Sequence, residues 1–335
     1  MKILYKNPSQ KVSLTIQLVL TIGQVGTKTI NLETTFNLKK KVFDIFSLTR
    51  WRETFDFNFI TTILGYIAAG IKLDFSFLLV LIANQYALWF MFMINDVEDS
   101  KEDATDPKKR ARNVISNGTL TKEEGYVYTM FIASIAFILY AFVSYVKGTP
   151  LPLIAGVTTL LVGHFYSYRK VRLKAIPVID LISHAYMLAA GLTLAAYFSA
   201  TGNGSITLLG KLSLAIVFIA SMYGQLDNEI RDFEIDVREK VTTLATILGK
   251  NISKLLQTIL IVITGVLSVY AIHTLNPNIN WVIQSALLLG LTEIGVFIFW
   301  NVKGKKYQLK QHIHRGLLIT TMISLVALNL GIYIQ

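Results

Sequence analysis

Carboxylates gather at two places in this sequence. The first is Asn95-Asp96-Val97-Glu98-Asp99-Ser100-Lys101-Glu102-Asp103, and the second runs from Asp227 through Asn228, Asp232 and Asp236 to Glu239. On a continuous helix Asn95, Asp99 and Asp103 fall at i, i+4 and i+8 with Asp96 beside them, and Asn228, Asp232 and Asp236 repeat the spacing. Side chains so spaced share one helical face, where like charges repel unless a counter-ion neutralises them. The hard cation that takes carboxylate oxygens while keeping several waters is Mg2+. Asp96, Asp99, Asp103, Asp232 and Asp236 are therefore the candidate metal ligands. Two such faces turned toward each other would hold metal ions with a diphosphate between them.

Basic residues flank both clusters. Lys109, Arg110 and Arg112 follow the first, Arg231, Arg238 and Lys240 surround the second, and Arg169, Lys170, Arg172 and Lys174 lie between them. Such groups bind phosphate oxygens and stabilise the charge on a departing diphosphate. The competing role for each is to set membrane orientation, and that role explains Arg112 least, since it stands between the first cluster and Ser116-Asn117-Gly118. Asp96, Asp99, Asp232, Asp236 and Arg112 are thus the residues expected to carry the chemistry. The chain has no cysteine, which excludes thiol nucleophiles, disulfide scaffolds, zinc ribbons and iron–sulfur ligation.

The elements that position these groups are apolar helices. Of 335 residues 53% are hydrophobic and only 16% charged, against about 25% charged in soluble proteins. Nine segments approach the roughly 20 apolar residues that a bilayer crossing needs: 57–71, 73–94, 125–147, 150–166, 176–200, 207–226, 254–273, 281–300 and 316–334. Their connections alternate in charge: 29 of the 32 Lys and Arg lie in 1–55, 95–124, 167–175, 227–254 and 301–315, and only Lys72, Lys147 and Lys211 lie in the others. The positive-inside rule produces this segregation and a nucleic-acid surface does not. It places the N-terminus and both carboxylate clusters in the cytoplasm. No cleavable signal peptide is expected. Residues 1–50 read as a cytoplasmic segment, with Lys39-Lys40-Lys41 and the apolar residues from Val42 to Trp51 forming either an interfacial helix or a basic tail. Residues 51–335 read as one membrane domain.

The motif Asn95-Asp96-x-x-Asp99-x-x-x-Asp103, with Arg112 and Ser116-Asn117-Gly118, resembles the first signature of the UbiA superfamily of intramembrane prenyltransferases. Asn228-x-x-x-Asp232-x-x-x-Asp236 with Lys240 and Thr243 resembles the second, and Tyr166-Ser167 with Arg172, Lys174, Pro177 and Asp180 resembles the segment between them. The likeness spans about residues 45–335. It departs at Asn113, where the family usually has proline, and at Asn117, where a small residue is usual; both bear on the conformation of that loop. The resemblance implies an all-α fold of about nine helices around a central cavity capped by two Asp-rich cytoplasmic loops. It further implies Mg2+-dependent ionisation of a prenyl diphosphate and attack on the allylic cation by a lipophilic acceptor. Asn95, Asn228, Tyr166, Arg172, Lys174, Lys240 and Asp180 become substrate-binding candidates. A carbocation survives only where water is excluded, which a membrane cavity provides.

Polar residues inside spans are the remaining candidates. Asn84 is assigned to acceptor binding, with interhelical hydrogen bonding as its competing role; Asp180 and His184, one turn apart, could also face the acceptor, with a helix cap or a salt bridge to Lys174 as the competing role of Asp180. The aromatic run Tyr86, Trp89, Phe90, Phe92 is read as packing before cation stabilisation. Two other functions fit part of the pattern: an intramembrane terpene cyclase, using the donor alone, and a Mg2+-responsive cation transporter, which leaves Arg112 and Lys240 unexplained. The stretch Thr242-Thr243-Leu244-Ala245-Thr246 resembles branches acting on non-aromatic isoprenoids such as carotenoids, although the general pattern equally suits quinone-precursor, haem or lipid enzymes.

Overall fold

The computed structural model describes residues 43–70, 73–275 and 280, and these contain helices and no strand. In chain order the helices are α1 (Trp51–Ala68), α2 (Phe75–Glu98), α3 (Ser100–Asp103), α4 (Pro107–Arg112), α5 (Lys122–Lys147), α6 (Leu151–Ser167), α7 (Ile179–Ala185), α8 (Gly191–Thr201), α9 (Leu208–Glu239), α10 (Leu244–Leu248) and α11 (Lys250–Leu275). A 3-10 turn, Leu173–Ala175, precedes α7, and a π turn, Tyr186–Ala190, joins α7 to α8. Among the described residues five stretches have the length and apolar composition to cross a membrane: Phe75–Glu98, Lys122–Lys147, Ile179–Thr201, Leu208–Glu239 and Lys250–Thr274; Leu151–Ser167 is apolar but shorter. Seven of the nine expected segments thus contain a helix, while 281–300 and 316–334 lie outside the described residues, as do Lys39, Lys40 and Lys41. Residues 43–48 are helical; Phe43 points outward and Leu48 is buried against Met93 and Val97.

Local sequence sets where the helices begin. Thr121 and Glu124 cap the start of α5 reciprocally, Asp74 caps α2, Thr207 caps α9, and Asp106 caps α4 with Pro107 behind it. Each side-chain oxygen satisfies backbone N–H groups that lack a partner in the first turn. α5 ends where Gly148 adopts a left-handed conformation at φ 64°, which costs glycine little. Asp74 also ties two helices together, accepting from the Tyr66 hydroxyl of α1 and, at 3.3 Å, from Lys147 of α5. Burial pushes its carboxyl up, but Tyr66, Lys147 and the Phe77 N–H outweigh this and hold it below the usual carboxylate range.

α1 packs on α8, α2 on α5, and α9 on α11. Close approach needs small residues: a Cβ at Gly65 would collide with the Thr193 carbonyl oxygen, and one at Gly156 with the Tyr140 ring. Hydrogen bonds then join the helices in their apolar surroundings. The Asn84 amide donates to Thr62 Oγ1 at 2.8 Å and to the Leu192 carbonyl at 3.1 Å, while its carbonyl oxygen accepts from the Tyr140 hydroxyl at 2.6 Å. Asn58, Gln85 and Thr54 form a second link between α1 and α2. Large apolar side chains such as Phe131, Ile138 and Tyr145 of α5 face outward, the surface a hydrocarbon solvent favours.

Candidate active site

The first carboxylate motif ends α2, and its side chains do not share one face. α2 stops at Glu98, Asp99 stands between it and α3, and the backbone bonds from Asp99 N to Asn95 O and from Asp103 N to Asp99 O keep the turn nearly helical. Asn95 and Asp99 both meet Lys174: Nζ lies 2.9 Å from Asn95 Oδ1 and also bonds Asp99. Arg172 adds a 3.5 Å contact to Asp99, and Ser167 donates to Asn95. Asp96 turns the other way, toward the Arg50 guanidinium 3.7 Å from its Oδ1. Asp103 accepts from Asn113 Nδ2 at 3.0 Å. The expectation of a single carboxylate stripe is corrected accordingly. Lys174, Arg50 and Asn113 thus meet Asp99, Asp96 and Asp103 separately.

Asn113 organises this region. It is fully buried; its amide also donates to the Asp96 carbonyl at 2.8 Å, and its Oδ1 accepts from the N–H groups of Ile115 at 3.0 Å and Ser116 at 3.3 Å. Ser116 Oγ donates to the Ser100 carbonyl, so the turn leading to Asn117 and Gly118 is fastened beneath the motif. Arg112 ends α4 exposed, with its charge acting on Asp96. In the same helix Asp106 accepts from the N–H groups of Lys108 and Lys109, which holds its carboxyl below the usual range.

The segment after α6 clamps onto this motif. Arg169 makes two bonds to Glu102, at 2.7 and 2.8 Å, and one to the Glu98 carbonyl. Glu98 is itself buried, accepting from the Tyr126 hydroxyl at 2.5 Å with Lys122 3.7 Å away. Arg172 and Val178 hold positive φ, 47° and 70°, strained values for residues carrying a Cβ, most of all a β-branched one.

The second motif lies on α9, which continues through it to Glu239. Asp232 and Asp236 are half-buried and, among the described residues, have no hydrogen bond or ion pair; the charge of Lys109 acts on Asp236 from the opposite side. Asn228 is held by Arg231 and Gln225. Lys240 caps α9 in a left-handed conformation at φ 57° and is exposed. Tyr166 lies buried within electrostatic reach of Asp99, Asp180 and Glu229. Asp180 accepts from Gln225 at 2.8 Å, and His184 Nδ1 lies 3.1 Å from Ser221 Oγ.

Among the described residues no three acidic or histidine side chains come together as a metal cage. The donor set still suits a hard divalent cation. Asp96 Oδ1 is buried without a hydrogen-bond donor, Asp232 and Asp236 are unneutralised, and every candidate ligand is an oxygen. Sequence reasoning missed Arg50, Glu98 and Glu229, whose partners are distant in the chain, and it met Asn113 only as a departure from a pattern. Asn84 is engaged between helices through Thr62, Leu192 and Tyr140, the competing role that its position in a span suggested.

Comparisons with known proteins bear on the family and the fold. The pattern of the UbiA prenyltransferase family matches residues 58–324. A lycopene elongase/hydratase of Corynebacterium glutamicum is 23% identical over 212 residues, covering 63% of this chain and 69% of that protein. A UbiA homologue from Archaeoglobus fulgidus, solved with GPP and Mg2+, superposes with a TM-score of 0.59 at 18% identity, over 85% of this chain and 99% of its own. An apo homologue from Aeropyrum pernix K1 gives 0.61 at 14% identity, over 82% and 98%. A digeranylgeranylglyceryl phosphate synthase gives 0.60 at 18% identity, over 87% and 98%. With the family pattern spanning both carboxylate motifs and the helices that carry them, the chain belongs to the UbiA prenyltransferase family.

Proposed function

We propose that this prenyltransferase ionises a prenyl diphosphate with Mg2+ held by Asp96, Asp99, Asp103, Asp232 and Asp236, and transfers the prenyl group to a hydrophobic isoprenoid acceptor drawn from the bilayer. The observation that carries this reading is the family pattern spanning both motifs, with Lys174 and Arg172 held against Asp99 of the first. When bound, Mg2+ would neutralise charge on the departing diphosphate. Lys174 and Arg172 lie against Asp99, where they would offer cationic donors to the phosphate oxygens. Arg112 and Lys240 join them from the two sides, and Asn95 and Asn228 orient the same group. The acceptor class follows the lycopene elongase/hydratase likeness and the Thr242 to Thr246 stretch. We place both motifs and the N-terminus in the cytoplasm, from the distribution of basic residues.

The test incubates purified protein with geranylgeranyl diphosphate, lycopene and Mg2+ and follows products by mass. Prenylated lycopene is expected, lost on chelation and reduced about a thousandfold in Asp96→Asn or Asp232→Asn, about 4 kcal/mol of transition-state stabilisation. A cyclised product from the donor alone would replace transfer by cyclisation. Near-wild-type rates in either variant at limiting Mg2+ would remove that motif from the chemistry.

A further inference from the structure

Glu98 belongs to the first carboxylate motif by position, but its side chain is taken up by protein. It is 1% exposed; Oε1 accepts from the Tyr126 hydroxyl at 2.5 Å, and Oε2 has Lys122 Nζ at 3.7 Å and Arg169 Nε at 4.0 Å. Glu102 is exposed and accepts from Arg169 at 2.7 and 2.8 Å. Among the described residues Arg169 is the one cation that touches both carboxylates, and its Nε also donates to the Glu98 carbonyl at 3.3 Å. A buried carboxylate robbed of a cation is costly, so Glu98 holds Arg169 as firmly as Arg169 holds Glu98.

Arg169 stands at the start of the connection that carries the cations of the first motif. It lies two residues past the end of α6, three before Arg172 and five before Lys174. The Tyr168 carbonyl accepts from the N–H groups of Val171 at 3.0 Å and Arg172 at 2.7 Å, and the Tyr168 ring stacks on His164 of α6 with centroids 4.9 Å apart. The same turn holds Arg172 at φ 47°, and Val178 closes the connection at φ 70°. Residues with a Cβ keep such values only where surrounding contacts over-determine the chain. Arg169 supplies those contacts on the side of α2, and with the turn so fastened Arg172 and Lys174 both arrive at Asp99.

We propose that Arg169 is a positioning residue for the donor site: anchored by Glu98 and Glu102, it holds the 168–178 connection in the strained form that sets Arg172 and Lys174 beside Asp99, and it binds no phosphate itself. The proposal rests on the transferase reading. It divides the carboxylates of the first motif by task, with Asp96, Asp99 and Asp103 left for metal and Glu98 and Glu102 serving as anchors. Loss of Arg169 leaves Glu98 with Lys122 as its cation and frees the turn to relax at Arg172. The donor is then held less well, while the chemistry of bound donor changes little.

The experiment uses the full chain in lipid nanodiscs with Mg2+, geranylgeranyl diphosphate and lycopene, followed by diphosphate release, and amide hydrogen exchange of the same protein without donor. Arg169→Gln is expected to raise KM for the donor about fivefold with kcat within about twofold of wild type. Arg169→Lys keeps the charge but not the fork that spans Glu102 and the Glu98 carbonyl, and is expected to raise KM about twofold. Exchange across 168–178 is expected to quicken about fivefold in Arg169→Gln while α5 and α9 exchange as in wild type. Combined with Lys174→Ala, Arg169→Gln is expected to raise KM at least about threefold less than the product of the two single effects, because one group it positions is already gone. Single effects that multiply in full, a loss confined to kcat, or unchanged exchange across 168–178 overturns the proposal. Should Arg169→Gln fail to fold, Glu102→Gln, which leaves Glu98 both its cations, replaces it in every measurement with the same expected results. Failure of the transferase reading looks different, with no diphosphate release from wild type at all; exchange across 168–178 then decides by itself whether Arg169 fixes the connection.

Discussion

Asn113→Ala is the substitution that best separates the geometry of the first motif from its charge. The wild-type side chain makes four hydrogen bonds in full burial: to the Asp103 carboxylate, to the Asp96 carbonyl, and from the N–H groups of Ile115 and Ser116. Alanine leaves these groups unpaired, and each buried unsatisfied polar group costs about 1–3 kcal/mol, with the charged Asp103 at the upper end. Partial rearrangement and access to water bring the expected total to about 3 kcal/mol rather than the full sum. If the loss is expressed in the placement of Asp96 and Asp103 during donor ionisation, kcat/KM falls about a hundredfold. The backbone suits proline at φ −82°, yet Asn113→Pro removes the side-chain bonds and the N–H bond to Lys109 O, so it is expected to be no milder. Asn113→Asp sets a second carboxylate against Asp103 and is expected to be worse than alanine. The assay pairs thermal unfolding in detergent with diphosphate release from geranylgeranyl diphosphate. Wild-type stability and rate in Asn113→Ala, or an aspartate variant milder than alanine, would refute the reasoning.

Arg112→Lys is expected to lower kcat/KM, because an ammonium cannot reproduce a planar fork holding two phosphate oxygens; an unchanged value assigns Arg112 to orientation alone. Single cysteines at Ser116 and Asn203, introduced into a chain with none of its own, test sidedness: labelling from outside intact cells is expected at Asn203 only, and the reverse pattern inverts the topology. Asp74 is stabilising in its ionised form, since Tyr66 and Lys147 hold its carboxyl low. The advantage of wild type over Asp74→Asn in thermal unfolding is therefore expected to be full at neutral pH and to fade as pH falls below about 4. A difference independent of pH would show that the bridge acts through packing instead of charge.

Where the sequence was sufficient, it was because the signal is local or periodic. Long apolar runs separate the spans from loops, the parity of basic residues suggests which loops share a side, and caps such as Thr121 with Glu124 mark starts. The spacing of Asp232 and Asp236 also survives folding, because α9 runs on through the motif without a break. At Asp99 the same spacing argument fails: the helix is interrupted there, and Lys174 and Asn113 draw neighbouring side chains in different directions. Asn84 shows the opposite limit. A polar residue in a span signals that some partner exists, but only the packing shows that Thr62, Tyr140 and Leu192, all distant in the chain, bond to it.

Residue types and spacing therefore determined the groups this protein has to offer: clustered carboxylates, basic side chains beside them, and apolar helices of membrane length. Only the tertiary structure decided which of those groups meet. It buried Arg50 against Asp96 and tied Asp180 of α7 to Gln225 of α9. Pairings of this kind join residues tens of positions apart through helix packing, and their energies depend on burial and on the angle at which side chains approach. Neither quantity is written in the local order of the chain, because each belongs to the helices that pack around it.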